Sequence, residues 1–314
     1  MRTRSVLNGL LAASFLLSAG PAESPARAKP LKVVATIPDL TDIVRQVGGE
    51  RVEVSSIARG TENLHAVVAR PSHLVALSKA DLFVEIGLSL EVAFVPGLLE
   101  NARNRKIQPG APGFVNVSEG WEAIGVPESL SRKAGDVHPH GNPHMNLAPR
   151  AGRHIAAKVC EGLVRVDPGS KSVYEQRLAA YTKQLDEAEA RWSEMGKDWR
   201  GRKVVVYHLE YNYLADFHGI EVIGAIELKP GIPATPNHLA ELIADMKSKE
   251  CRTILTAPWS NDEDVERVAE ATSARVVELP NQCGGKKGAE TWIGMMDLVH
   301  ERLADAFGRA EAEK

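Results

Sequence analysis

SKSVYEQRLAAYTKQLDEAEARWSEMGK, residues 170–197, is the stretch on which the fold turns. Tyr174, Leu178, Tyr181, Leu185, Ala188, Trp192 and Met195 recur there at alternating spacings of four and three, with charged residues between them. This pattern predicts one uninterrupted helix with a single apolar stripe. At about 1.5 Å per residue it spans roughly 35 to 40 Å, more than the width of a small domain. A two-stranded zipper is the other use of such a stripe, but aromatic and Ala residues over roughly three to four heptads make a poor seam. A helix lying across two lobes and joining them fits better.

On its N-terminal side the chain alternates between strand and helix. The apolar, β-branched run 31–37 reads as a buried strand. Asp39 is the expected cap of a helix carrying Leu40, Ile43, Val44 and Val47, closed by Gly48 and Gly49. A second strand is expected at 51–57, and a polar loop after it leads to His65. Ser72 is the expected cap of a short helix through Ser78, and 81–87 reads as a third strand. A helix near 90–101, a short strand at 114–117 and a helix from Pro149 to about Leu163 complete this half, before Asp167-Pro168-Gly169 breaks the chain.

Beyond the long helix the order restarts. Strands are expected at 203–207, 221–226, 252–257 and 275–279, alternating with helices at 209–218, around Leu239 to Met246, at 262–272 and at 290–307. Such βαβ alternation predicts parallel sheets covered by helices. Pro71-Ser72-His73-Leu74 with Leu77 is echoed by Pro236-Asn237-His238-Leu239 with Leu242, which suggests lobes of similar build. The expected fold is α/β: an N-terminal lobe over 29–169, the linking helix 170–197, and a C-terminal lobe over 198–314, with the functional cleft between the lobes.

The first residues stand apart. Arg2 and Arg4 precede the apolar run 6–17, and Ala26-Arg27-Ala28 offers a cleavage site, so 1–28 is expected to be a signal peptide. The run is shorter than the roughly 20 residues a bilayer core requires. The mature protein is expected to begin near Lys29 outside the cytoplasm, without a lipid anchor, since no cysteine lies near the cleavage region. The three cysteines, Cys160, Cys251 and Cys283, are not a disulfide framework. Cys160 falls on the apolar side of a helix, and Cys251 and Cys283 begin at opposite ends of neighbouring strands if those strands are parallel. A net charge of -3 with no basic cluster excludes a nucleic-acid footprint.

Residues 136–149, DVHPHGNPHMNLAP, hold His138, His140 and His144. Pro139, Pro143, Pro149 and Gly141 forbid regular structure here, so the imidazoles sit on an irregular segment. Neutral imidazole is the commonest protein metal ligand. In open α/β sheets, ligands bind beyond the carboxyl ends of the strands. His208 directly follows the strand 203–207, and His65 lies in the loop beyond 51–57. With His144 they are three histidines from distant segments of both lobes that can meet in the cleft. The others have structural readings: His73 and His238 in matching first turns, His218 as an imidazolium before Gly219 at a helix end, and His154 and His300 isolated on helices.

VVATIPDLTDIVRQVGG, GTENLHAVVARPSHLVALSKADLFVEIGLSLE, GNPHMNLAP, the long helix, and VVVYHLEYNYLADFHGI followed by PGIPATPNHLAEL together resemble one family. It is the periplasmic metal-binding proteins of zinc and manganese ABC importers, the group with a rigid interlobe helix. The resemblance runs over essentially the whole mature chain. It implies that His65, His144 and His208 are metal ligands, and it places the family's His-rich loop at His138 and His140. Two departures stand out: Asn63-Leu64 replaces Asp-Pro before the first histidine, and Leu279-Pro280-Asn281-Gln282 lacks the Asp that many members place after the last strand. The fourth position is left to water, Glu210, Glu227 or Glu278.

The function this implies is high-affinity capture of a divalent cation in the periplasm and delivery to an inner-membrane ABC permease and its ATPase, with a metallochaperone as a further partner. The chain is expected to be a monomer and not an enzyme. Zinc is favoured over manganese because all three ligands are imidazoles. A zinc hydrolase is the alternative, since three histidines and a water also hold catalytic zinc, with Glu210 as base. Against it stands the absence of an H-E-x-x-H helix.

Overall fold

The computed structural model describes residues 29–127, 138–228 and 232–312; the segment on which the signal-peptide expectation rests lies outside the described residues. Strands β1 (Leu31–Ala35), β2 (Val52–Ser56), β3 (Leu82–Glu85) and β4 (Phe114–Asn116) form one sheet in the order β2-β1-β3-β4. Strands β5 (Lys203–Val206), β6 (Glu221–Ala225), β7 (Thr253–Thr256) and β8 (Arg275–Glu278) form a second sheet in the order β6-β5-β7-β8. Every pairing is parallel, and the two orders are the same permutation of their chain order. The architecture is α/β with two similar lobes, as the alternation predicts.

Helices α1 (Pro38–Gly48), α2 (Pro71–Ser78), α3 (Val95–Ala102) and α4 (Ala151–Val166) belong to the first half. The long stripe becomes α5 (Lys171–Met195), and α6 (Asn212–His218), α7 (Pro236–Ser248), α8 (Asp262–Thr272) and α9 (Trp292–Ala312) follow. Tyr174, Tyr181, Leu185, Ala188 and Trp192 of the stripe are buried, and α5 packs on α1 and α4 from one side and on α9 from the other. Its two ends are pinned differently. Tyr174 Oη donates to Asp167 Oδ2 at 2.7 Å, while the Trp192 ring meets Trp292 edge-on at 5.8 Å and Trp192 Nε1 donates to Asp297 Oδ1 at 2.7 Å.

One apolar core runs from Val33 through α5 to Phe307 and so passes through both lobes. In β5 the period-2 alternation of a strand divides its residues between two cores. Val204 and Val206 join the shared core, whereas Val205 and Tyr207 face a second cluster against α7 and α8 that includes Leu242, Met246 and Val268.

Three local expectations are corrected. Asp39 does not cap α1: Pro38, whose fixed φ and missing N–H suit a first helical position, opens the helix after Ile37 and places Asp39 inside the first turn, fully buried. Its carboxylate reaches the other lobe instead, accepting from Cys283 N at 2.9 Å, and within its own lobe accepts from Asn146 Nδ2 at 3.2 Å. Ser72 likewise yields to Pro71, and Arg70 is the cap residue; here the His73 side chain accepts from Arg70 N at 3.3 Å. His218 and His300 are neither a dipole-compensating imidazolium nor isolated. They form a buried pair with Nε2 atoms 2.9 Å apart, and burial pushes His218 down to about 3 and His300 down to about 4. His300 Nδ1 donates to Met296 O, which leaves its Nε2 to accept from His218.

All three cysteines are buried and free, so no bridge joins Cys251 to Cys283. Among the described residues no helix is long and apolar enough to cross a membrane.

Candidate metal centre

His65 stands on a short 3-10 turn, Leu64–Ala66, beyond β2, and Asn63 Oδ1 fixes that turn by accepting from His65 N at 2.9 Å. His144 follows a tight bend in which Gly141 takes φ 95°, a conformation that favours glycine, and its backbone N donates to Asn142 Oδ1 at 2.9 Å. His208 is the extended residue leading from β5 into the short turn Leu209–Tyr211. His65 and His208 therefore sit beyond the carboxyl ends of β2 and β5, where α/β folds place ligands, and the His144 segment comes up to them.

Across the lobes, Asn142 Nδ2 donates to Leu209 O at 2.6 Å and Tyr213 Oη donates to Asn142 O at 2.7 Å. These bonds tie the His144 segment to the His208 segment. The three ring centroids are 5.1 Å (His65 to His144), 5.1 Å (His65 to His208) and 5.3 Å (His144 to His208) apart, every pair edge-on at 77 to 80°. One nitrogen from each ring lies within 4.8 Å of the other two, and the Nε2 atoms of His65 and His144 are 3.2 Å apart. Two nitrogens bound to one tetrahedral zinc at roughly 2.0 to 2.1 Å would be about 3.3 Å apart. His144 and His208 are buried and His65 is half-buried, so the cluster opens toward solvent on the side of His65.

The carboxyl ends of the C-terminal strands add a ring of polar groups beside His208. Glu210, 1% exposed, accepts from Asn281 Nδ2 at 2.8 Å through Oε2. Burial pushes its carboxyl up to about 7 against the opposing pull of His208, the Asn281 amide and the Trp259 indole. Burial, then the charge of the buried Glu227, push the Tyr207 hydroxyl up to about 12. Glu278 is paired with Lys286. The Trp259 ring lies 6.0 Å from His208.

Of the loop histidines, the His138 ring lies 5.2 Å from that of His65, tilted by 31°, whereas His140 is exposed. The irregular segment is better fixed here than its Pro and Gly content implies: Gly141 N donates to His138 O at 3.1 Å and Asn142 N to Ile124 O at 2.8 Å. Residues 136 and 137, the start of the same stretch, lie outside the described residues. His154 and His238 bond backbone carbonyls, Val117 O and Ala225 O, each at 2.8 Å. Trp259 and Asn142 were not read from the sequence. Trp259 falls just past the end of β7, where the strand-end rule marks it, but Asn142 carries no comparable signal.

The family model for zinc-uptake complex component A, periplasmic, matches residues 33–306. The manganese ABC transporter substrate-binding lipoprotein PsaA of Streptococcus anginosus is 23% identical over 288 residues, covering 89% of this chain and 90% of that protein. The metal ABC transporter substrate-binding lipoprotein FimA of Streptococcus parasanguinis is 24% identical over 314 residues, covering 97% and 96%. The expectation of an unanchored mature protein is at odds with the word lipoprotein in both names. Among solved structures, ZnuA superimposes with a TM-score of 0.74 at 22% identity over 88% of this chain and 99% of that one. The manganese-bound periplasmic metal-binding protein of candidatus liberibacter asiaticus gives 0.73 at 20% identity over the same shares. With most of its length matched by that family model, the chain belongs to the zinc-uptake complex component A periplasmic family.

Proposed function

We propose that this protein captures one divalent metal ion outside the cytoplasm with His65, His144 and His208 and delivers it to an ABC-type membrane importer, the permease and its ATPase. The observation that supports the reading most is the convergence of three imidazoles, from three distant segments and both lobes, with their nitrogens within 4.8 Å of one another. The ion is cargo and the protein carries out no reaction on it. The site holds its ligands on separate loops, so release requires those loops to part. A periplasmic location, a monomeric state and loading by a metallochaperone complete the proposal.

Zinc is the cargo favoured by the donor set, because imidazole suits zinc and affinity at nitrogen-rich sites rises from manganese toward zinc. Manganese is the second reading, since relatives of this chain are named for manganese. Metal analysis after gentle purification, followed by titration of the stripped protein, tests both. One tight zinc per chain is expected, lost in His65→Ala, His144→Ala or His208→Ala. Tight binding that survives all three substitutions, or manganese displacing zinc at comparable free concentrations, would refute the respective halves of the proposal.

A further inference from the structure

Glu210 stands two residues beyond His208 on the turn that follows β5, almost completely buried. Asn281 Nδ2 holds its Oε2 at 2.8 Å, whereas its Oε1 accepts no hydrogen bond among the described residues. One further buried atom in this corner, Asn281 Oδ1, also lacks a hydrogen bond among the described residues, while the Trp259 indole faces the carboxyl and adds its pull to that of the Asn281 amide. A buried carboxylate with an oxygen left over is costly unless a donor or cation faces it. The other acids on this side are engaged, Glu227 by the Tyr207 hydroxyl and Glu278 by Lys286.

Three imidazoles are neutral ligands, so a divalent ion held by them alone keeps its whole charge in a largely buried place. Such a charge requires compensation nearby. Glu210 lies outside the group of residues whose ligand atoms are within 4.8 Å of one another. Yet it stands two residues after His208, whose charge acts on its carboxyl, so it lies within electrostatic reach of the ligands.

We propose that Glu210 sets the affinity of the site from just outside the ligand set. Its carboxylate, oriented by Asn281, balances the charge of the ion, and Oε1 accepts a hydrogen bond from a water bound at the ion's fourth position. This rests on the reading of His65, His144 and His208 as the ligands.

The test uses the full mature chain, with zinc affinity measured against a competing chelator and coordination read from the visible spectrum of the cobalt-loaded protein. Glu210→Gln should weaken zinc binding about 10- to 100-fold, the usual effect of removing a group that supports a metal ligand, while the cobalt bands stay where the parent has them. Glu210→Asp, which keeps the charge, should recover affinity to within a few-fold. Asn281→Leu, which leaves the acid but frees it, should weaken binding several-fold and covers the case in which Glu210→Gln folds poorly. Affinity within twofold of the parent in both Glu210→Gln and Asn281→Leu overturns the proposal. So does a Glu210→Gln cobalt spectrum altered as in His144→Ala, which would make Glu210 a direct ligand. If instead His144→Ala binds zinc as tightly as the parent, the metal-site reading itself is wrong, a result separate from any behaviour of Glu210.

Discussion

Asp39 Oδ1 accepts a hydrogen bond from the backbone N–H of Cys283 at 2.9 Å, joining the first turn of α1 to the loop that follows β8 in the other lobe. Burial pushes the Asp39 carboxyl from 3.8 up to about 6, partly offset by the bonds from Cys283 and Asn146. The fold thus prefers the protonated form. Its contribution is fully present below pH 3.8 and is lost as the pH rises through about 6, a change of about 3 kcal/mol. Asp39→Asn keeps the acceptor for Cys283, and Asn146 Oδ1, which lacks a hydrogen bond among the described residues, can turn to receive the new amide. The variant should gain on the parent by about 2 kcal/mol between pH 4 and pH 7 in urea denaturation. A parent-to-variant difference that is the same at both pH values would contradict this account.

Gly152 of α4 lies where α5 and α9 come together. A Cβ there would approach the Trp292 ring to 2.5 Å and Leu185 to 2.8 Å. Overpacking costs about 1 to 3 kcal/mol and should outweigh the roughly 1 kcal/mol that alanine gains over glycine in a helix. Gly152→Ala is expected to melt at a lower temperature. Gly97→Ala in α3, where nothing lies within 4 Å of the added carbon, should raise it. Equal shifts in the two variants would show that packing at Gly152 does not control the join.

The Trp259 ring, 6.0 Å from His208, should sense occupancy of the site. Adding zinc to the stripped protein is expected to change the intrinsic fluorescence with one-to-one stoichiometry, and Trp259→Phe should remove most of the change while leaving the affinity within a few-fold. An unchanged zinc response in Trp259→Phe would place the signal at one of the other four tryptophans.

His138 leans on His65 from outside the three-histidine group, and His140 is exposed. Replacing both by Ala should leave the equilibrium affinity within a few-fold and slow the transfer of zinc from a chelated donor by about tenfold or more, in line with a role in passing the ion inward. A hundred-fold loss of equilibrium affinity would instead make one of them a ligand. Stopped-flow mixing with a donor chelate separates the two cases.

What was legible in the sequence follows from which signals are local. The stripe of α5, the apolar runs of the strands and the glycine after α6 act over a few residues, and each of these elements lies where its pattern indicated. Helix starts were read less well, because a proline one residue before Asp39 or Ser72 outweighs the capping preference of either side chain. The start of α3 at Val95 was missed for another reason. Gly87, Leu88 and Ser89 all take positive φ, and Glu91 turns inward to accept from Ile86 N and Gly87 N, which delays the helix. His65 and His208 could be placed beyond strand ends by topology, and His144 on the irregular segment before α4. The pairing of Glu210 with Asn281, 71 residues apart, and of His218 with His300 depends on tertiary contacts that no local pattern announces.

The apolar core that passes from β1 through α5 to α9 makes the two halves thermodynamically inseparable. Neither half has a boundary at which water could enter without exposing Tyr181, Leu185 or Trp192, so the molecule should lose its structure in a single calorimetric peak. A gene cut after residue 169 or before residue 198 would yield fragments with raw apolar faces that aggregate unless supplied together. The doubled βαβ plan shares one core, so the pair of lobes should fold, melt and be degraded as one.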